Sequence, residues 1–258
     1  MNFTVALLLS AIALVLGMLA FLELGRRLGN RQIARDPTGA GAGAGVVDGA
    51  IFALFGLLVA FTFSGAATRF DWRRNLVVEE TNDIGTAYLR LDLLPVDVQP
   101  KLREAFRKYV DSRLATYRKL PDLEAAKVEL AHSSMLQGEI WTQAVAACQA
   151  KGDPATTSLV LPALNSMIDI TTTQNMATKL HPPMIVFVLL FGLALLCSLM
   201  AGYGMAGSKW RNWSRMFGFA AITGLTFYVI VDIEFPRQGL IRVDTTDQIM
   251  VELRESMK

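Results

Sequence analysis

Residues 184–207 read MIVFVLLFGLALLCSLMAGYGMAG, twenty-four positions without one charged side chain. About 20 such residues carry a helix across the roughly 30 Å hydrocarbon core of a bilayer. Three further predominantly apolar runs cover residues 3–24, 46–67 and 216–233. In hydrocarbon every backbone amide must be bonded internally, which leaves helices or a closed barrel. Barrel strands alternate apolar and polar positions, and these runs do not alternate. The expected fold class is an all-α integral membrane protein with four transmembrane helices and a large extramembrane helical region.

Composition agrees. Of 258 residues, 52% are hydrophobic and 19% charged, too apolar a balance for an ordinary soluble domain. The formal net charge of +2 gives no reason to expect nucleic acid. Residues 101–119 hold seven basic side chains against Glu104 and Asp111, a local excess of five. That segment reads as a solvated helix face or as a surface for an anionic partner or lipid headgroups. Cys148 and Cys197 are the only cysteines. Cys197 lies inside a membrane run, so no disulfide is expected, and neither cysteine has metal-ligand spacing. No signal-cleavage pattern follows the first apolar run, which reads as a retained membrane helix.

Four parts follow along the chain. Residues 1–68 hold the first two membrane helices and a Gly/Ala-rich connector. The connector, GAGAGAG at 39–45 after Asp36-Pro37, has too few side chains to pack and lacks the lysine of a phosphate-binding loop. Residues 69–180 are expected to be helical outside the membrane. Leu76, Glu80, Ile84, Ala87 and Leu91 form one stripe that Glu80 interrupts, and Leu102, Phe106, Leu114 and Tyr117 form another. Breaks are expected at Pro95 and Pro100, near Pro121, and at Lys151-Gly152-Asp153-Pro154. Thr171–Thr173 weakens the last helix of this part. Residues 181–234 give membrane helices three and four. Residues 235–258 are a short polar tail in which 242–246 is too brief to assign as helix or strand.

Four crossings place both termini and residues 69–180 on one side of the membrane. The short loops carry Arg26, Arg27, Arg31 and Arg35 in one case and Lys209, Arg211 and Arg215 in the other, which favours a cytoplasmic location for the loops. Arg69, Arg73, Arg74 and Lys179 on the opposite side nearly balance them.

Candidate chemistry is sparse. Asp48, read as a cap of the second helix or as lying near its positive end, and Asp232 with Glu234 belong at opposite membrane surfaces, so they form no single metal site. His132 and His181 lack a ligand pattern. Ser64 has no evident base and no nucleophile elbow. No catalytic, cofactor or metal residue is expected, and the protein does not read as an enzyme. The densest polar set is Arg69, Asp71, Arg73, Arg74, Glu79, Glu80, Asn82 and Asp83. It fits a charged neck fastened to the membrane bundle, an anion vestibule, or a lipid-phosphate contact.

The stretch 57–95, LLVAFTFSGAATRFDWRRNLVVEETNDIGTAYLRLDLLP, resembles the signature of bacterial bestrophin-like membrane proteins of unknown function. Through them the chain distantly resembles the bestrophins, which are pentameric anion channels with four membrane helices per subunit and a cytoplasmic helical region. The resemblance implies a homo-oligomer in the bacterial inner membrane, passing small anions such as chloride. It also implies a cytoplasmic location for residues 69–179, against the loop count. The second membrane helix lines the neck in bestrophins. Here Leu54, Leu58 and Phe61 are the candidate constriction, with Leu57, Phe61 and Gly65 on an alternative face that shares Phe61, and Arg69, Arg73 and Arg74 are the candidate anion vestibule. No counterpart of the acidic calcium clasp is evident in the tail. The competing reading is a non-conducting scaffold or sensor that binds a protein through residues 101–119.

Overall fold

The computed structural model describes residues 3–35, 44–120, 122–208, 213–241 and 244–257. Eight α-helices account for nearly all of them: α1 Phe3–Arg35, α2 Ala44–Arg90, α3 Gln99–Lys119, α4 Leu123–Lys151, α5 Pro154–Ala177, α6 Met184–Gly204, α7 Trp213–Glu234 and α8 Asp244–Ser256. Among the described residues there is no strand. The helices α1, α2, α6 and α7 are long and apolar enough to cross a membrane. The expected fold class is therefore what the structure shows.

The chain divides into two units, one of residues 1–69 and 181–235 and the other of residues 70–180 and 236–258. In the membrane unit α1 packs against α6 and α7. Its core gathers Leu14 and Met18 of α1, Phe55 of α2, Leu190, Ala194 and Cys197 of α6, and Ala220 and Phe227 of α7. The α1–α6 contact is made backbone to backbone. A Cβ on Gly25 would lie 1.9 Å from the Leu199 carbonyl oxygen, and one on Gly202 would lie 2.0 Å from that of Leu22. Only hydrogen fits there, which is how small residues let membrane helices approach.

In the helical unit the second half of α2 packs with α3, α4, α5 and α8. Ile84, Tyr88, Leu102, Phe106, Tyr109, Ile140, Leu164, Met167 and Met250 are buried in one cluster. Asp122 caps α4 by accepting from the Ala125 amide, and Asp153 caps α5 by accepting from the amides of Ala155 and Thr156. These hydrogen bonds, with that of the Thr156 hydroxyl first, hold the Asp153 carboxyl below the usual range. Between α4 and α5, Gly152 takes φ of +64°, a left-handed turn that suits glycine.

Several local expectations differ from the structure. The first two membrane helices do not stop at the hydrocarbon boundary: α1 continues through its arginines to Arg35, and α2 runs unbroken from Ala44 to Arg90. Asp48 is thus inside α2 and not its cap. A helix leaving hydrocarbon keeps its own backbone bonds, so a change of solvent does not end it. The threonines 171–173 lie within a continuous α5. The tail, left open between helix and strand, forms α8. Most of the glycine-rich connector, together with Asp36, Pro37, Pro121, Lys209, Arg211 and Arg242, lies outside the described residues.

Residues 101–119 are not a uniformly solvated basic face. Arg113 is 2% exposed and its Nε donates to Glu80 Oε1 at 2.5 Å. Gln174 Nε2 donates to Glu80 Oε2 at 2.7 Å, and the Tyr117 hydroxyl donates to the same oxygen. Burial disfavours the charge on Arg113, but Glu80, Tyr117 and Tyr109 together outweigh it and raise the pKa. Burial raises the Tyr117 phenol, keeping it a donor. Arg103 pairs with Asp92, Arg107 and Lys108 with Glu104, and Lys119 with Glu129. Among the described residues no buried side-chain polar atom lacks a hydrogen-bond partner.

Candidate pore helix and its charged collar

The membrane half of α2 is apolar but packs on one face only. Phe55 is buried, and Ile51, Phe52, Leu58 and Val59 pack partly against the membrane core. Phe52 meets Phe219 of α7 edge-on, with centroids 6.3 Å apart. The opposite face is open: Leu54 is 49% exposed, Leu57 50% and Phe61 64%. Leu54 and Phe61, seven residues apart, share this open face. Leu58 turns back toward the core. The three candidate constriction residues are therefore split, two outward and one inward, and Leu57 stands nearer the outward pair.

Below this stripe, the guanidinium of Arg69 is occupied. Its Nε donates to both carboxylate oxygens of Glu234 at 3.0 Å, and its Nη2 donates to Oε2 at 2.7 Å. Glu234 is 1% exposed. It is also shared with His181, whose Nδ1 lies 3.0 Å from Oε1. The imidazole stacks on Phe235 at 4.4 Å, and Phe235 packs on Phe3 of α1. One carboxylate thus ties α2 to α7 and to the chain entering α6. Gly65 leaves the room that Arg69 uses, since a Cβ there would lie 3.2 Å from Nη1.

In the helical unit Arg73 donates from Nε to the Ala177 carbonyl at 3.1 Å and from Nη2 to that of Leu180 at 2.9 Å, covering the open end of α5. Arg74 has a side chain 48% exposed, with Asp71 at 3.6 Å. Of the three vestibule candidates, Arg74 keeps the most solvated charge. Sequence reading grouped these arginines but missed Glu234 and His181 as partners of Arg69, because 165 residues separate Arg69 from Glu234. The adjacent signals were the carboxylate at the end of the fourth apolar run and the His-Pro-Pro before the third. Among the described residues no cluster of His, Cys, Asp and Glu is placed to hold a metal ion.

Residues 7–248 match the profile of the Bestrophin-like domain. The chain belongs to the bestrophin-like family. Solved structures share its fold. A bestrophin homologue from Klebsiella pneumoniae aligns over 95% of this chain and 98% of its own, at 13% identity and a TM-score of 0.66. A point variant of a Klebsiella pneumoniae bestrophin homologue aligns over 96% and 100%, again at 13% identity and 0.66. A protein described only as a membrane protein, also a point variant, aligns at 12% identity over 95% and 99%, with a TM-score of 0.63. Against curated proteins the sequence has no significant match. At these identities the likeness shows the fold alone, and it assigns no role to individual side chains.

Proposed function

We propose that this chain is the subunit of a homo-oligomeric channel that passively conducts small anions such as chloride across the bacterial plasma membrane. Membership of the bestrophin-like family supports a channel, and the observation that carries the reading is the open face of α2. An apolar helix with one packed face and one row of Leu54, Leu57 and Phe61 left exposed is suited to meet other copies around an axis. A ring of such side chains narrows a pore and gates it by dewetting. Leu58, turned inward, would set the rotation of α2 and act on the constriction through it. Further along the same helix, Arg74 would concentrate anions through its exposed charge. Arg69 and Arg73 would contribute positive potential while serving as ties. The bestrophin resemblance favours five copies. Conduction requires no chemical turnover.

Anion flux into proteoliposomes of the purified protein tests this reading, with incorporation matched between variants. Phe61→Ala is expected to raise chloride flux by widening the constriction. Arg74→Glu is expected to lower the preference for chloride over sodium. Absence of flux from the folded, oligomeric wild-type protein across several anions and voltages would overturn the channel. Flux that neither substitution changes would overturn the residue assignments.

A further inference from the structure

The loop-side end of α1 carries a charged surface that the channel reading leaves unused. A 30 Å hydrocarbon core takes about 20 residues of helix, yet α1 has 33. Its last turns hold Arg26, Arg27, Arg31 and Arg35, and Glu23 is the only acidic residue in the helix. Arg27, Arg31 and Arg35 recur every four residues and so lie along one face; all three are exposed. The opposite face carries Leu22, Gly25 and Gly29, which are buried.

That opposite face is fixed. Gly25 meets the backbone of Leu199 and Tyr203, and Gly29 meets Tyr203 and Ala206. One turn further, Asn30 Oδ1 accepts from the Gly207 amide at 2.8 Å, and Ile33 lies against Gly207. The arginine stripe is thus held pointing away from its own bundle, beyond the apolar run of α1 that ends at Leu24. The start of α7 carries exposed Trp213, stacked on Phe217, and exposed Arg215. Residues 197–219 contain no carboxylate. Interfacial tryptophan beside arginine is the composition of a headgroup layer.

We propose that Arg27, Arg31 and Arg35 form a binding stripe for the phosphate groups of anionic phospholipids. Charge complementarity selects this occupant. A second copy presenting the same face would bring three further arginines, and its Glu23, like this one, already accepts from Arg27 at 2.9 Å. Lipid phosphate supplies the negative charge that α1 of neither copy has to spare, since its single acid is already engaged. The aliphatic stems lie along the apolar helix while the guanidinium groups reach the headgroups. This inference does not depend on conduction.

The test uses full-length protein in phosphatidylcholine vesicles doped with spin-labelled phosphatidylglycerol or spin-labelled phosphatidylcholine. Electron paramagnetic resonance reads the protein-immobilised fraction of each probe. The expected result is an enrichment of phosphatidylglycerol over phosphatidylcholine of about threefold, weakened by salt. It should fall to near parity in R27Q/R31Q/R35Q and persist in R27K/R31K/R35K. It should also persist in K101Q/K108Q, which removes exposed charge elsewhere. Equal melting temperatures and oligomer masses confirm that the surface substitutions leave the fold intact. Parity in the wild-type protein, or full enrichment in the glutamine variant, overturns the proposal. Loss of enrichment on adding millimolar inorganic phosphate would assign the stripe to free phosphate instead. A change of oligomer mass in the glutamine variant with enrichment unaltered would assign it to a contact between copies.

Discussion

A carboxylate in the middle of a buried helical stripe must find a cation or remain protonated. Glu80 finds Arg113, and the pair is closed by Gln174 and Tyr117, so that neither charge is left without polar contacts. Removing one member leaves the other buried and unbalanced, at a cost of about 3–5 kcal/mol. Glu80→Ala is therefore expected to lower the melting temperature of the detergent-solubilised protein strongly, as followed by circular dichroism. Replacing both, Glu80→Leu with Arg113→Met, should restore most of that loss, because apolar side chains need no partner. A double variant as unstable as Glu80→Ala would show that the network does more than neutralise its own charges. The sequence showed Glu80 as an anomaly in an apolar stripe. Its partner stayed hidden because Arg113 sits among seven basic residues with no local mark distinguishing it.

At the scale of the element, two physical effects separate what periodicity reveals from what it does not. Apolar runs locate membrane helices, but they do not mark the ends, because a helix can pass from hydrocarbon to water with its hydrogen bonds intact. That is why α1 and α2 outrun their apolar stretches. Contacts between membrane helices also leave little hydrophobic signature, since lipid is as apolar as leucine; small residues decide them. Gly25 and Gly202 serve this role in the α1–α6 contact, where an added methyl would meet backbone and not a movable side chain. Gly202→Ala is expected to destabilise the membrane unit by at least about 1–3 kcal/mol, the usual range for overpacking. Gly56→Ala, with nothing within 4 Å of the added Cβ, should cost only tenths of that. Thermal inactivation of the two variants, compared side by side, checks the difference, and equal loss would contradict the close approach of α1 and α6.

For the whole molecule, the outstanding fact is that an apolar membrane helix leaves most of its surface uncovered by its own chain. In the proposed homo-oligomer, copies of the same chain would cover part of it. Gly56→Phe adds bulk on an exposed part of α2 beside the Leu54–Phe61 row, where an added Cβ would meet nothing within 4 Å. It should therefore shift the purified protein toward smaller assemblies by native mass spectrometry, with secondary structure unchanged. An unaltered mass would remove that face from the contact between copies. The sequence alone determined the fold class and the family, because the unsatisfied backbone of a spanning segment permits few structures and because the motif around Arg69–Pro95 is contiguous. Tertiary structure alone decided which charges meet: Arg69 with Glu234 and His181, Glu80 with Arg113. It also decided which way Leu58 turns. Helical periodicity orders side chains around one axis, whereas a pair across helices depends on where two axes come to lie, and no local spacing records that.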